Sequence, residues 1–272
     1  MTDPFLARGP LILNVSGGRT SSYMLWRYLD ANNGALPPDV FPVFANVGDE
    51  QPETLDFVAE MGRRWCPIHW IEYRRDDPAG FAEVDHATAA RRCEPLEAIT
   101  EAKGFLFNPV MRFCTQLGKI KPAVAFMAAR GYEHWTSALG LRRDEPRRVA
   151  RHSATDHGEP RVDSVYPLHA AGVTKPDVEA FWRAQPFDLG LPWWLSNCRG
   201  CINKSSAILE RTERDVPGSL SWWEGRERQR GARFVRGRTY LRLIERARRP
   251  MLPGAFDEPD PEGAALPCAC TD

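Results

Sequence analysis

Leu11, Ile12, Leu13 and Val15 form a short apolar run that stops at Ser16-Gly17-Gly18. Tyr23, Met24, Trp26, Tyr28 and Leu29 then recur at helical spacing. A strand, a glycine turn and a helix in direct succession restrict the chain to folds that turn sharply at the end of a strand. The same alternation continues. A strand fits Val40 to Asn46, a helix opening at Pro52 fits Pro52 to Arg64, and a third strand fits Ile68 to Tyr73. Strands alternating with helices predict a parallel sheet with crossover connections.

Further along, residues 74–112 are less regular and carry one or two helices, and Lys119 to Arg130 reads as a helix capped by Gly131. Strands fit His134 to Leu139 and Val162 to Leu168, with the polar stretch 143–161 as a loop or lid. Thr174 is placed to cap a helix running to Arg183, with Asp177 in its first turn. The remainder reads as helical, and 250–267, with five prolines, as an extended tail.

At 272 residues the chain is one large domain or one domain with an appendage. The expected division is a main domain over 1–210, an Arg-rich helical extension over 211–249 and a flexible tail over 250–272. The 43% hydrophobic and 26% charged residues exclude collagen-like and wholly disordered classes. No apolar run approaches the roughly 18 residues of a membrane span, and the N-terminus lacks a signal pattern, so a cytoplasmic location with no membrane contact is expected. The net charge of zero is a sum of unlike parts. Residues 211–249 hold 12 Arg against 5 acidic residues, and the tail holds five acidic residues and no basic one.

Ser16-Gly17-Gly18-Arg19-Thr20-Ser21 carries phosphate-binding chemistry. Glycines let backbone N–H groups approach an anion, and the following helix adds its positive end. The Ser and Thr hydroxyls and the Arg19 guanidinium are further donors. The loop is neither a Walker A sequence nor G-x-G-x-x-G.

The S-G-G-x-x-S sequence resembles the PP-loop of ATP pyrophosphatases and of the related phosphoadenosine-phosphosulfate (PAPS) reductase family. Phe44 through Thr54 (F-A-N-V-G-D-E-Q-P-E-T), Arg112-Phe113-Cys114-Thr115 with Lys119-Ile120-Lys121-Pro122, Gly140-Leu141-Arg142-Arg143-Asp144-Glu145, and Tyr166-Pro167-Leu168 followed by Asn197-Cys198-Arg199-Gly200-Cys201 resemble further segments of that family, in the same order. The resemblance covers about residues 10–210. Thr20 stands where Asp is usual, and Val47 where Thr is usual. The resemblance implies a Rossmann-like α/β sheet of PP-loop type. It implies an adenine nucleotide, ATP or PAPS/APS, on Ser16, Gly17, Gly18, Arg19, Thr20, Ser21, Asn46, Lys119, Gly140, Arg143 and Glu145, with Mg2+ held through water by Asp144 or Glu145. Arg19, Arg142 and Asp144 then become catalytic candidates.

Cys198-x-x-Cys201 places two thiolates on one turn, able to bite one metal or cluster. With Cys114, 84 residues upstream of Cys198, the spacing resembles that of iron–sulfur sulfonucleotide reductases, Phe113 replacing the first Cys of their pair. A 4Fe–4S cluster on Cys114, Cys198 and Cys201, with Cys93 as a fourth ligand or an open iron, is the implied site. Structural zinc and a thioredoxin-like redox pair are the other readings. Cys66 reads as a core thiol. Cys268-Ala269-Cys270 ends the tail, and the resemblance makes Cys270 a catalytic candidate.

Two tryptophan pairs, Trp193-Trp194 and Trp222-Trp223, read as packing residues, and His134, His152 and His169 have no ligand spacing. The Arg-rich 211–249 segment is a candidate contact for tRNA or DNA, while its interleaved Glu213, Glu224, Glu227 and Glu245 suit a solvated helix face. A homodimer is the other expected partner. The resulting expectation is an enzyme that adenylates its substrate, releases pyrophosphate and installs sulfur from the cluster. The alternatives are a sulfonucleotide reductase that releases sulfite, and a nucleotide-sensing or nucleic-acid-binding module without turnover.

Overall fold

The computed structural model describes residues 3–154, 160–196 and 198–250. Strand β1 (Leu11–Asn14) leads through helix α1 (Arg19–Ala31) to β2 (Val40–Asn46), and α2 (Pro52–Arg64) leads to β3 (His69–Tyr73). These boundaries follow the sequence pattern, because each apolar run ends at a Gly, Pro or polar turn. Pro42 is accommodated inside β2 because pairing with β3 begins only at Val43.

Residues 74–112 differ from the expectation. They hold an edge strand, β4 (Phe81–Val84), antiparallel to β3, and one helix, α3 (Glu94–Lys103). The helix after them starts six residues earlier than the pattern suggested. It runs as α4 (Phe113–Thr115), a π-helical turn over Gln116–Ile120, and α5 (Lys121–Ala128). Gly118 sits in that turn, where an added Cβ would lie 3.1 Å from Val47 Cγ1. A wider turn therefore meets the sheet through a residue without a side chain.

Strand β5 (Trp135–Ala138) returns to the other side of β1. Residues 146–154, expected as loop, form helix α6 (Pro146–Ala154). The fifth sequence-predicted strand is shorter than expected. Strand β6 (Val162–Val165) ends before Pro167, which opens α7 (Pro167–Ala170). Helix α8 (Lys175–Arg183) has the capping box read from Thr174 and Asp177. A 3-10 turn (Trp193–Leu195) precedes α9 (Ser206–Asp215), α10 (Ser221–Arg230) and α11 (Tyr240–Ala247).

The described strands form one sheet in the order β4-β3-β2-β1-β5-β6, parallel except for the β3–β4 pair. The order reverses at β1, so the crevice beyond the carboxyl ends of β1 and β5 is the topological switch point. The fold is thus α/β with a mostly parallel sheet, compatible with a Rossmann-like arrangement. No described helix is long and apolar enough to cross a membrane.

The extension shares a core with the rest of the chain. Trp223, Phe234 and Tyr240 pack with Phe107 and Phe113, in one cluster with Val47, Ile99 and Ile202. Two of its interleaved glutamates are buried rather than solvated. Glu213 accepts from Gly218 N and Leu220 N, and Glu227 from Phe234 N and Tyr240 N. Their carboxylates close the loops between helices by satisfying otherwise orphaned backbone donors.

Candidate functional site

The glycine turn after β1 is a closed knot of short hydrogen bonds. Gly17 adopts φ +80°, and an added Cβ there would sit 2.5 Å from Thr54 Cγ2. The position requires glycine both for its backbone and for its contact with α2. Ser16 Oγ lies 2.8 Å from Ser21 Oγ, Ser16 N donates to Ser21 Oγ, and the Ser22 hydroxyl donates to Gly18 O over 2.8 Å. Gly18 is the N-cap of α1, which has no side-chain cap and no acidic residue in its first turn. The helix therefore opens on the crevice with its backbone donors and positive end uncompensated by an acid.

The loop after β5 meets this turn. Arg142 Nη1 donates to Thr20 Oγ1 over 3.1 Å, and Arg142 Nε donates to Asp144 Oδ1 over 2.9 Å. Glu145 accepts from Arg142 N and also bridges Arg148. Asp144 Oδ2 accepts from Lys175 N, and Arg143 N donates to Val173 O. The loop is thereby pinned to the start of α8, with the Arg143 side chain exposed. Gly140 is buried at the root of the loop.

Arg19 points across α1 to Asp188. Its Nε and Nη2 reach the two carboxylate oxygens at 2.7 and 2.5 Å, and Nη1 donates to Leu191 O. The bond from Asp188 raises the Arg19 pKa. The Asp188 carboxyl is held low: burial acts to raise it, but the Arg19 hydrogen bond and charge outweigh that. Arg19 is thus oriented by an acid that sequence reasoning missed, and no local motif announces Asp188.

Asn46 is fully buried. Its amide donates to Glu72 Oε1 at 2.6 Å and to Ala90 O, and its oxygen accepts from Gly48 N. It shapes the turn after β2 instead of lining the crevice. Lys119 lies in the π-helical turn, with its side chain half-buried.

The second constellation gathers where β2 ends. Asp49, fully buried, accepts from Gly200 N at 3.0 Å and from Trp223 Nε1 at 3.2 Å through one oxygen. The other oxygen accepts the Cys93 thiol at 3.4 Å and pairs with Arg199. Burial lifts the Asp49 carboxyl to about 6, with Arg199 and the Gly200 N–H opposing. Glu50, 5% exposed, accepts the Cys198 thiol at 3.5 Å through Oε1. Lys204 is buried, and its Nζ donates to Trp194 O. Burial lowers the lysine pKa, while Cys201, Cys198, Asp49 and Glu50 act to raise it. Tyr240 Oη donates to Gly200 O at 2.6 Å, and Arg238 donates to both Lys204 O and Ile202 O. The Cys198–Cys201 turn is therefore fastened from the sheet side by Asp49 and from the extension by Tyr240 and Arg238.

The four expected cluster ligands do not form a metal-binding set. Among the described residues, no three His, Cys, Asp or Glu side chains converge to hold a metal ion. Cys93 is buried with its thiol on Asp49, in a left-handed backbone conformation (φ +64°), and burial pushes its pKa up. Cys114 lies half-buried at the start of α4, 4.0 Å from the Thr115 hydroxyl. Among the described residues, no iron–sulfur or zinc ligand set is preformed. Asp144 and Glu145, the acids considered for Mg2+, already accept from protein donors and serve as struts of their loop. Cys66 is half-buried, and burial raises its pKa to about 11, as expected of a packing thiol. Asn197 and the Cys268-Ala269-Cys270 end, with catalytic candidate Cys270, lie outside the described residues.

Sequence reasoning quoted Asp49 and Glu50 only as part of a motif, and it passed over Lys204. Two signals were present. Residues just beyond a central strand's carboxyl end line the site side of an open sheet, and Lys204 is one of five lysines in the chain, three residues after Cys201.

No family model matches the chain. It is similar to "Uncharacterized nin region protein ORF290" of Escherichia phage lambda, with 29% identity over 215 residues, covering 76% of this chain and 70% of that protein.

Proposed function

We propose that the protein is an adenine-nucleotide-dependent enzyme of PP-loop type, related in chemistry to ATP pyrophosphatases and the PAPS reductase family. The observation that carries this reading is the meeting of the Ser16–Ser21 turn with the Arg142 loop at the switch point, through the Arg142–Thr20 hydrogen bond. Phosphates of ATP would lie on the first-turn N–H groups of α1 and the Ser16, Thr20 and Ser21 hydroxyls, with Mg2+ carried by the nucleotide itself. Arg142 would neutralise charge developing on the departing phosphates, and Arg143 and Arg147, both exposed on the same loop and the start of α6, extend the basic rim.

In the reaction, an acceptor oxygen attacks the α-phosphorus. A P–O bond forms there, the bond to the β-phosphate bridging oxygen breaks, and pyrophosphate leaves with its electron pair. Arg19 contributes to phosphate binding on exchanging Asp188 for the nucleotide. The scheme routes no step through a metal cluster, because among the described residues its expected ligands do not converge. The test is to incubate the protein with ATP and Mg2+ together with tRNA, DNA or small nucleophiles, and to measure pyrophosphate. Pyrophosphate released only with an acceptor is the expected result. Sulfite release from APS or PAPS would transfer the site to sulfonucleotide reduction, and ADP formation would overturn both.

A nucleic-acid acceptor is favoured by one observation. Arg214, Arg226, Arg230 and Arg238 serve the fold through bonds to carbonyls or to Glu97, whereas Arg228, Arg233, Arg236, Arg242, Arg248 and Arg249 are exposed. Exposed arginines of this density bind phosphate backbones in a salt-dependent manner. A binding assay across salt concentrations tests it; affinity independent of salt would remove the acceptor assignment.

A further inference from the structure

We propose that Cys198 and Cys201 form a thiol–disulfide exchange site, with Cys198 the attacking thiol, Glu50 its proton acceptor and Cys201 the resolving thiol, acting on a substrate disulfide. The inference goes beyond the nucleotide reading and stands on a different set of residues.

The first ground is the turn itself. Cys201 N donates to Cys198 O over 3.3 Å, which closes one tight turn. Turns of this kind hold their end Cα atoms within about 7 Å, and disulfides span about 4.4–6.8 Å. The Cα separation of such a turn overlaps the range that a disulfide spans. The second ground is a nucleophile paired with a base. The Cys198 thiol donates to Glu50 Oε1 at 3.5 Å, and Glu50 Oε2 is buried with no partner among the described residues. A carboxylate with an unfilled acceptor beside a thiol is equipped to take up a proton.

The third ground is a buried lysine beside the turn. Lys204 N donates to Cys201 O over 3.0 Å, and although burial lowers the pKa of its side chain, both thiols act to keep it charged. Accessibility differs in the sense the roles need. Cys198 is half-buried, while Cys201 is 8% exposed. Finally, the turn is held rigid by Asp49, Trp223, Tyr240 and Arg238. An added Cβ at Gly200 would fall 2.0 Å from Trp223 Nε1, so the second of the two residues between the cysteines is fixed as glycine by packing.

The step balances as follows. Glu50 accepts the Cys198 proton, and the thiolate attacks one sulfur of a disulfide R–S–S–R. A Cys198–S–S–R bond forms, the R–S–S–R bond breaks, and one R–S⁻ leaves and is protonated. Cys201 loses its proton and attacks the Cys198 sulfur, expelling the second R–S⁻. The protein dithiol loses two electrons and becomes a Cys198–Cys201 disulfide, and the substrate disulfide gains them as two thiols.

The experiment equilibrates the full-length protein with oxidised and reduced glutathione and maps modified cysteines by peptide mass spectrometry, with metal content measured on the same preparation. The expected outcome is an intramolecular Cys198–Cys201 disulfide in the wild type and a trapped glutathione adduct on Cys198 in Cys201→Ser. Cys66→Ser serves as a folded control with the wild-type pattern. In Glu50→Gln, alkylation of Cys198 by iodoacetamide slows by about tenfold or more, while alkylation of Cys66 stays unchanged. Glutathione on Cys114 or Cys66 with Cys198 and Cys201 left reduced would overturn the proposal. So would equal Cys198 alkylation in wild type and Glu50→Gln, and so would stoichiometric iron or zinc that shields both thiols. Pyrophosphate release bears only on the nucleotide reading, so the two fail separately.

Discussion

Arg142 Nη1 and Thr20 Oγ1 lie 3.1 Å apart although 122 residues separate them in the chain. The contact ties the loop after β5 to the first turn of α1, across the point where the strand order reverses. Replacing Arg142 by Ala removes the cationic side of the crevice. Nucleotide affinity is expected to fall about tenfold or more, equivalent to roughly 1.4 kcal/mol, with Thr20→Val giving a smaller loss. Fluorescence titration with ATP measures both; an unchanged affinity in Arg142→Ala would exclude the crevice as the phosphate site.

Gly17→Ala is expected to destabilise the fold by about 1–3 kcal/mol, since the new methyl must enter the space of Thr54 at φ +80°. Thermal unfolding reads this directly. A melting temperature equal to the wild type would mean that the turn relaxes without cost.

Thr174→Ala removes one arm of the α8 capping box, in which Thr174 Oγ1 donates to Asp177 Oδ2 at 2.6 Å. The expected cost is about 1 kcal/mol, or roughly 2–4 °C in a chain of this size. Hydrogen bonds from the Thr174 hydroxyl and backbone hold the Asp177 carboxyl below its usual range. This contribution is present above the unfolded-chain value and is lost as pH falls through the folded one. The Thr174→Ala penalty therefore shrinks in acid, and a penalty constant down to pH 2 would contradict the assignment.

Asp49 titrates in the opposite sense. Its folded-state value of about 6 exceeds that of an unfolded aspartate, because burial disfavours the charge. Between about pH 4 and pH 6 the native state holds a proton that the unfolded chain has released, so this residue's contribution to stability declines as pH rises across that window, by on the order of 2 kcal/mol. Denaturant melts of wild type and Asp49→Asn over pH 4–7 isolate the term; parallel stability curves for the two proteins would reject it.

The centre of the sheet could be read from the sequence because β1, β2 and β3 are mostly buried and end at glycine, proline or polar turns. Val40–Asn46 and Pro52–Arg64 match the pattern to the residue. Strand β4 was hidden because its only described pairing is with β3, and with only Phe81 of its four residues buried it left no apolar run. Helix α6 was hidden because Arg147, Arg148 and Arg151 make the segment polar on average, so that it read as a solvated loop. In the candidate site, the glycine turn and the Arg142 loop were visible as local strings. Asp188, Trp223, Tyr240 and Arg238 were not, since their roles arise from contacts across 34 to 174 positions. The cysteine spacing suggested a shared metal, yet spacing gives no direction to a thiol, and the Cys93 and Cys198 thiols turn to carboxylates.

The bonds from Arg238 and Tyr240 to the Cys198–Cys201 turn also set an order of events during synthesis. The sheet strands and both cysteines leave the ribosome before the residues that clamp them. Chains emerge at about 5–20 residues per second, so the turn waits for seconds with its thiols unsheltered by the extension. The site is finished only when α11 arrives. A nascent chain halted before residue 238 carries every cysteine of the turn and none of the extension's bonds that hold it.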